Sequence, residues 1–314
     1  MSSIDKEVFK RFVYWIRERH NIHKKREAGQ PKPWTTDPIL QNFFFTNPYR
    51  ENDKTTIWFR ENVREPRRNK SSVFLATVIF RWFNFIDTGQ ILLKAGLLDK
   101  WDSKKARKLL HLRAEAGYKI FTGAYVIKVY NGMSKIDGVC KAIDNVALAV
   151  SPKSKNKPYG VHIPSLVDIQ DGCINGDQPT MQFVWKLLCD FPYLGKFMAY
   201  EIVTDLRHTY LLENAPDIDT WCNLGPGGKR GIWHLLGQPA SQKIVATPPG
   251  WQDIMLELLE RTRKALPKHP HLEMREIEHS LCEFDKYERA TQTQSSKPFD
   301  AYVGKIKRRY PGCM

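Results

Sequence analysis

A mainly α fold in two helical lobes is what this sequence of 314 residues predicts, and three observations predict it. Apolar residues recur at three- and four-residue spacing through most of the chain, the period of helices that bury one face. Few strands are credible in the second half of the chain, and a polar segment with two prolines interrupts the chain near its middle. With 42% hydrophobic and 12% aromatic residues the chain can bury a substantial core.

From the N-terminus, Phe9, Phe12, Val13 and Ile16 form one face of a first helix. KPWTTDPIL at 32–40 is a connector, with Asp37 as cap and Pro38 at the first position of a second helix. Val73, Leu75, Ala76, Val78, Ile79, Trp82 and Phe83 belong to a helix buried on most sides, and Phe43, Phe44, Phe45, Trp58 and Phe59 read as core. KARKLLHLRAEA at 105–116 is a further helix closed by Gly117, whereas YKIFTGAYVIKVYNG after it fits either a strand pair or a buried helix. SPKSKNKPYG at 151–160 is the expected boundary, giving an N-terminal lobe over 1–160 and a second over 161–314. Helices are expected near 180–190, 195–213, 230–237, 251–266 and 272–290, the last closing a cleft.

Composition narrows the function classes. The six cysteines, with no C-x-x-C pair, argue against a zinc knuckle or a secreted disulfide framework. No apolar run is long enough to span a membrane, and MSSIDKEVFKRF has charges where a signal peptide needs an apolar stretch, so a cytoplasmic protein is expected. A net charge of +15, spread over RERHNIHKKR, REPRRNK, KSKNK and KIKRR, points to a polyanion, with a merely solvated basic surface as the plainer reading. His20, His23, His162, His269 and His271 lack a metal-ligand spacing.

LGPGGKRG at 224–231 poses the sharpest question. A Walker loop needs Ser or Thr after its lysine to hold the metal, but Lys229 precedes Arg230, and DIDTWCN ahead of the loop is no apolar strand. A tight turn at Gly225, Pro226, Gly227 and Gly228, opening a helix near Lys229, would instead let backbone amides and a helix N-terminus approach a DNA phosphate, with Lys229 and Arg230 at flanking phosphates. That arrangement resembles the helix-hairpin-helix of DNA glycosylases; a plain turn between packed helices is the alternative.

Two groups of carboxylates accompany it. Glu201 and Asp205, at i and i+4, share a helix face upstream, where a base-excision enzyme keeps its acid; a solvated acidic face or an ion pair with nearby arginines is the plainer reading. In MREIEHSLCEFDKYERA, Ile277, Leu281 and Phe284 form a buried stripe beside a second stripe of Glu278, Cys282, Asp285 and Arg289 that would line a cleft.

FTNPYRENDKTT (45–56), RWFN (81–84), FTGAY (121–125), LGPGGKRG (224–231) and IEHSLCEFDKYER (277–289), in this order over nearly the whole chain, resemble the alpha-glutamyl/putrescinyl thymine pyrophosphorylases. These amino acid:DNA transferases are similar to the helical domain that accompanies 5-hydroxymethyluracil DNA kinases of bacteriophages with hypermodified thymine. The resemblance implies a glycosylase-like helical protein in which an amino acid or polyamine displaces pyrophosphate from an activated 5-hydroxymethyluracil base in DNA, in host cytoplasm if phage-encoded, beside a separate kinase.

Such a reaction needs an extruded base, cations about the leaving pyrophosphate and a base for the amine. Arg50 and Arg81 would serve the anion, with Lys286 as a further substrate contact, and Asn47 and Asn84 the pyrimidine edge; a surface ion-pair group of Arg50, Glu51 and Asp53 is the plainer reading of that motif. Glu278, Asp285 and Asp205 are the candidate bases, with magnesium open as an ion for Glu278 and Asp285 and no resident cofactor otherwise expected. A Cys282 thiolate adding to the pyrimidine ring is a covalent variant; plain packing is its alternative. Rival functions are a glycosylase acting on a modified pyrimidine and a non-catalytic DNA-binding partner of the kinase.

Overall fold

The computed structural model describes residues 4–150, 179–238 and 246–294, and there the chain is helical with no β-strand. The boundary expected at 151–160 lies outside the described residues, as does His162. Two compact units form: one combines Met1–Asp53 with Asp219–Met314, the other runs from Lys54 to Ile218.

In the first unit, α1 (Lys6–Glu27) starts where the Asp5 carboxylate accepts the Glu7 and Val8 amides, and its last turn carries Lys24, Lys25 and Arg26 against the negative helix end. Val8, Phe12, Trp15 and Ile16 face inward; Phe9 lies half-buried under the Arg261 guanidinium. α2 (Pro38–Asn42) has the expected cap, Asp37 accepting from Ile39 and Leu40 with Pro38 in the first turn. α10 (Pro226–Leu235), α11 (Trp251–Ala265) and α12 (Met274–Gln294) complete the unit. Ile277, Leu281 and Phe284 of α12 are fully buried, as their stripe requires, and the Phe284 ring meets Phe12 edge-on with centroids 5.3 Å apart. The Tyr287 hydroxyl donates to Asp37 at 2.8 Å, tying α12 to the cap of α2.

The second unit holds α3 (Lys54–Phe59), which runs on through a π turn and a short 3-10 turn to Arg67, then α4 (Ser72–Phe83), α5 (Ile86–Lys94), α6 (Ser103–Glu115), α7 (Lys135–Ala149), α8 (Met181–Cys189) and α9 (Lys196–Leu206). Nearly every residue of α4 is buried, as its continuous apolar run predicts. Phe59 and Trp58 stack on Phe80, and Gly89 of α5 lets the Trp58 ring approach where a β-carbon would sit 2.6 Å away.

Three expectations change. Residues 118–132 form neither a strand pair nor a helix, because the chain there is pinned to the end of α4: the Thr122 amide donates to the Phe83 carbonyl and Phe121 stacks on Phe83. The helix expected over 195–213 ends at Leu206, where the Thr209 amide and hydroxyl both take the Leu206 carbonyl and close the last turn. The helix expected near Lys229 begins at Pro226, so the glycines are its first turn and not a turn ahead of it.

Candidate functional site

Close packing of α10 on α12 shapes this part of the first unit. Gly225 is the N-cap in extended backbone, and Pro226 starts the helix where a missing N–H costs nothing. A β-carbon at Gly227 would overlap Cys282 Sγ, and one at Gly231 would sit 2.6 Å from the Leu281 carbonyl oxygen. Gly227 and Gly231 are therefore what lets two helices approach at backbone distance, while Gly228 leaves room for the Leu224 and Glu278 side chains. The anion at this helix N-terminus is the protein's own: the Gly225 amide donates to Glu278 Oε1 at 3.3 Å. Pro226 is exposed, Lys229 and Arg230 half-buried.

The second stripe of α12 thus meets α10. Asp285, fully buried, accepts from Arg230 Nε at 2.8 Å and meets His234 Nε2 at 3.3 Å and Arg289 Nη2 at 3.2 Å. Burial by itself would raise its carboxyl, but the His234 hydrogen bond and the charges of Arg289 and Arg230 outweigh it and hold the group below the ordinary carboxylate range. Cys282 keeps some accessible surface, yet its sulfur is crowded by Gly227, and burial with Glu283 and Glu278 nearby pushes the thiol up to about 12. Lys286 pairs with Glu283 on the same helix.

A second group gathers where residues 45–53 lie on α12. The Thr46 amide donates to Glu283 Oε2 at 3.1 Å and its hydroxyl meets His279 Nε2 at 2.8 Å. Asn47 is 1% exposed; its Oδ1 accepts the Tyr49 amide, its own amide donates to Asp53 Oδ1 at 3.1 Å, and its Nδ2 has no protein partner. Desolvation raises the Asp53 carboxyl although His279, the hydrogen bond from the Asn47 amide, and Arg50 and Arg19 act against it. Arg50 is buried, and Arg275, also buried, pairs with Glu276 at 2.7 Å and Glu51 at 3.5 Å. A desolvated acid with an unmet amide donor and several guanidinium groups nearby is chemically suited to hold a polar ring edge, take a proton and face an anion.

The second unit holds the other expected residues. Arg81 and Asp205, 2% and 0% exposed as side chains, form a two-pronged ion pair, and Arg81 Nη1 donates to Asn84 Oδ1 at 2.8 Å. Asn84 caps α4 in left-handed backbone, φ 42°. Glu201, one turn from Asp205, accepts the Tyr125 hydroxyl.

Of the expected site residues, Asn47, Arg50, Gly225, Gly227, Gly228, Lys229, Arg230, Glu278, Cys282, Asp285 and Lys286 fall in the first unit, and Arg81, Asn84 and Asp205 in the second. Sequence reasoning passed over Arg19 and His279, and gave Asp53, inside the same NPYREND motif, only a surface ion-pair role beside Arg50 and Glu51. It also missed that His23, Tyr49 and His269 come together around His20. Among the described residues no group of three or more His, Cys, Asp or Glu side chains is arranged to hold a metal ion, and no helix is long and apolar enough to cross a membrane.

Residues 6–297 match the family model described as "5-hmdU DNA kinase, helical domain". A curated relative, the 5-hmdU DNA kinase of Bacillus phage SP10, is 27% identical over 294 residues, covering 88% of this chain and 44% of that protein. The chain thus spans less than half the length of that relative. No solved structure matches.

Proposed function

The chain belongs to the 5-hmdU DNA kinase helical-domain family, and we propose that it is a DNA base-modifying transferase in thymine hypermodification, displacing pyrophosphate from 5-(pyrophosphoryloxymethyl)uracil in DNA with an amino acid or polyamine. The observation that carries this reading is the match over residues 6–297 in a chain of net charge +15 whose sequence contains no Walker loop to cradle a nucleoside triphosphate. The amine nitrogen forms a bond to the exocyclic carbon, the carbon–oxygen bond to pyrophosphate breaks, and the nitrogen's proton passes to a base.

The cluster on residues 45–53 supplies fitting groups. Asn47 Nδ2 offers a buried donor to a pyrimidine carbonyl, Arg50 with Arg19 offers cationic charge to pyrophosphate, and Asp53, with its raised carboxyl, is the base. Asp285 suits a structural hub better than a base or a magnesium ligand, since three cationic or hydrogen-bonding partners occupy it. A covalent route through Cys282 is disfavoured by a thiol raised to about 12, because the thiolate is the nucleophile. In a helix-hairpin-helix mode of DNA contact the outward side of α10, with Lys229, would meet the phosphates, as its inward side is taken by α12.

The test is to incubate DNA carrying pyrophosphorylated 5-hydroxymethyluracil with candidate amino acids and polyamines, digest it to nucleosides and read their masses. Aminomethyl-linked nucleosides are expected, with pyrophosphate released in equal amount. Abasic sites with free base select a glycosylase instead. Salt-sensitive DNA binding with unchanged nucleosides selects a non-catalytic partner of a kinase.

A further inference from the structure

Beside the α12 cluster, and sharing Arg19 with it, the first unit carries a cleft of about 340 Å³ between the C-terminal half of α1 and residues 32–45. Its cationic lining is Arg19, Arg26 and Lys32, its planar lining includes Trp34 and Phe44, and no carboxylate among the described residues lines it. Phe44 departs from the core role its sequence predicts: Phe43 and Phe45 are 6% and 4% exposed, whereas Phe44 is 47% exposed. An aromatic ring left in solvent between two buried neighbours loses the burial free energy that its neighbours gain, so it fits a surface that is covered at some stage.

The cations are held in place by different means. Lys32 Nζ lies 5.3 Å from the centre of the Trp34 ring, and the Trp34 indole donates to the Gln30 carbonyl at 2.7 Å, which fixes the ring. Arg19 is 9% exposed; its Nε donates to the Phe45 carbonyl at 2.9 Å and its Nη1 has no hydrogen-bond partner. Arg26 is paired with Glu27 at 3.1 Å, and Asp53 and Glu283 act on Arg19 from behind, so the unmet Nη1 of Arg19 and the Lys32 ammonium are what favours an anion in a cleft without a lining acid. The exposed planar ring beside it favours an aromatic group.

We propose that this cleft binds one unpaired nucleotide of a DNA strand, the phosphate facing Arg19, Arg26 and Lys32 and the base lying on Phe44. Cationic side chains and an open ring lining one cleft match the two parts of a nucleotide, and a base reaches an aromatic side chain only when it has left its own stack. The volume falls at the lower end of pockets that enclose a small ligand, roughly 300–1,000 Å³. The proposal rests on the reading that the chain acts on DNA; it adds where a strand is held open.

The experiment is fluorescence anisotropy with a labelled 15-mer oligothymidylate and with the same label on a duplex, over a salt series, using unmodified DNA so that no chemistry is required. Phe44→Ala is expected to raise the single-strand Kd about tenfold, since a stacked base is lost. Phe44→Trp is expected to restore it, and Lys32→Ala to reduce the salt slope by about 0.7, one phosphate contact on a single strand. Lys264→Ala, an exposed cation on α11 outside the cleft, controls for net charge and is expected to leave the Phe44-dependent part unchanged. Circular dichroism checks that each variant is folded; if Phe44→Ala is not, Phe44→Leu replaces it. An unchanged Kd for the Phe44 variant, or wild-type binding to duplex alone, overturns the cleft and leaves the function proposed above standing. Wild-type binding to neither form of DNA overturns both.

Discussion

Gly227 lies so close to Cys282 that a β-carbon on the glycine would overlap the sulfur and stand 3.2 Å from the cysteine α-carbon. Part of that contact is to backbone, which cannot rotate away. Gly227→Ala should therefore destabilise the protein by about 1–3 kcal/mol through overpacking. Pairing it with Cys282→Ala should recover part of the loss, as urea unfolding midpoints of the four proteins would show.

The Cys282 thiol itself should behave as a packing group. With its pKa pushed up to about 12, the native protein should react with iodoacetamide at pH 8 far more slowly than after unfolding in urea. Cys282→Ala should keep full transfer activity; loss of transfer in a folded variant would restore the covalent route.

Arg81 and Asp205 are buried partners from different parts of the second unit's sequence, so each is costly without the other. Arg81→Met or Asp205→Leu alone should cost about 3–5 kcal/mol, and the double replacement much less, because the penalty is an uncompensated buried charge. A double-mutant cycle by denaturant unfolding measures it. Equal and additive losses would mean that the pair is not coupled.

His20 gives a pH dependence whose sign is fixed. Burial first, then the charges of His269 and Lys24, lower its pKa from the usual value to about 4 in the folded chain. Between about pH 6.5 and pH 4 the unfolded chain therefore binds the proton that the folded chain refuses, so this group lowers stability as pH falls through that window. His20→Phe should flatten the stability profile there, and the His20 ring protons should titrate by NMR with a midpoint near 4.

Asp53 and Asn47 carry the proposed chemistry in different ways. Asp53→Asn should lower kcat for transfer by about 10²-fold or more, as loss of a general base does, with the acid limb of the pH–rate profile removed. Asn47→Ala should act mainly through KM if its Nδ2 holds the pyrimidine in ground and transition states alike. Equal pH profiles for wild type and Asp53→Asn would exclude Asp53 as the base.

Much of the fold was legible along the chain. The Asp37 and Pro38 cap, the enclosed helix over 72–83 and the 277, 281, 284 stripe each arise from residues within a few turns of one another. The candidate site was legible only as a set of motifs. NPYREND drew attention to Asn47 and Arg50, but Asp53 became prominent only when desolvation and the cations around it were visible.

The sequence by itself determined the helical character, the basic surface and the residues able to do polar chemistry, because helix period and charge are local properties of the chain. Tertiary structure alone decided what they face. Gly227 fits a phosphate-gripping turn or a close helix contact, and what it faces depends on α12, some 50 residues away, whose Cys282 occupies the space that a side chain would need, as Leu281 does at Gly231. Asp205 likewise reads as a catalytic acid until Arg81 is placed against it, and Phe44 as core until its neighbours turn inward without it. Which surface meets which is settled by the sum of distant contacts, and no local pattern encodes it.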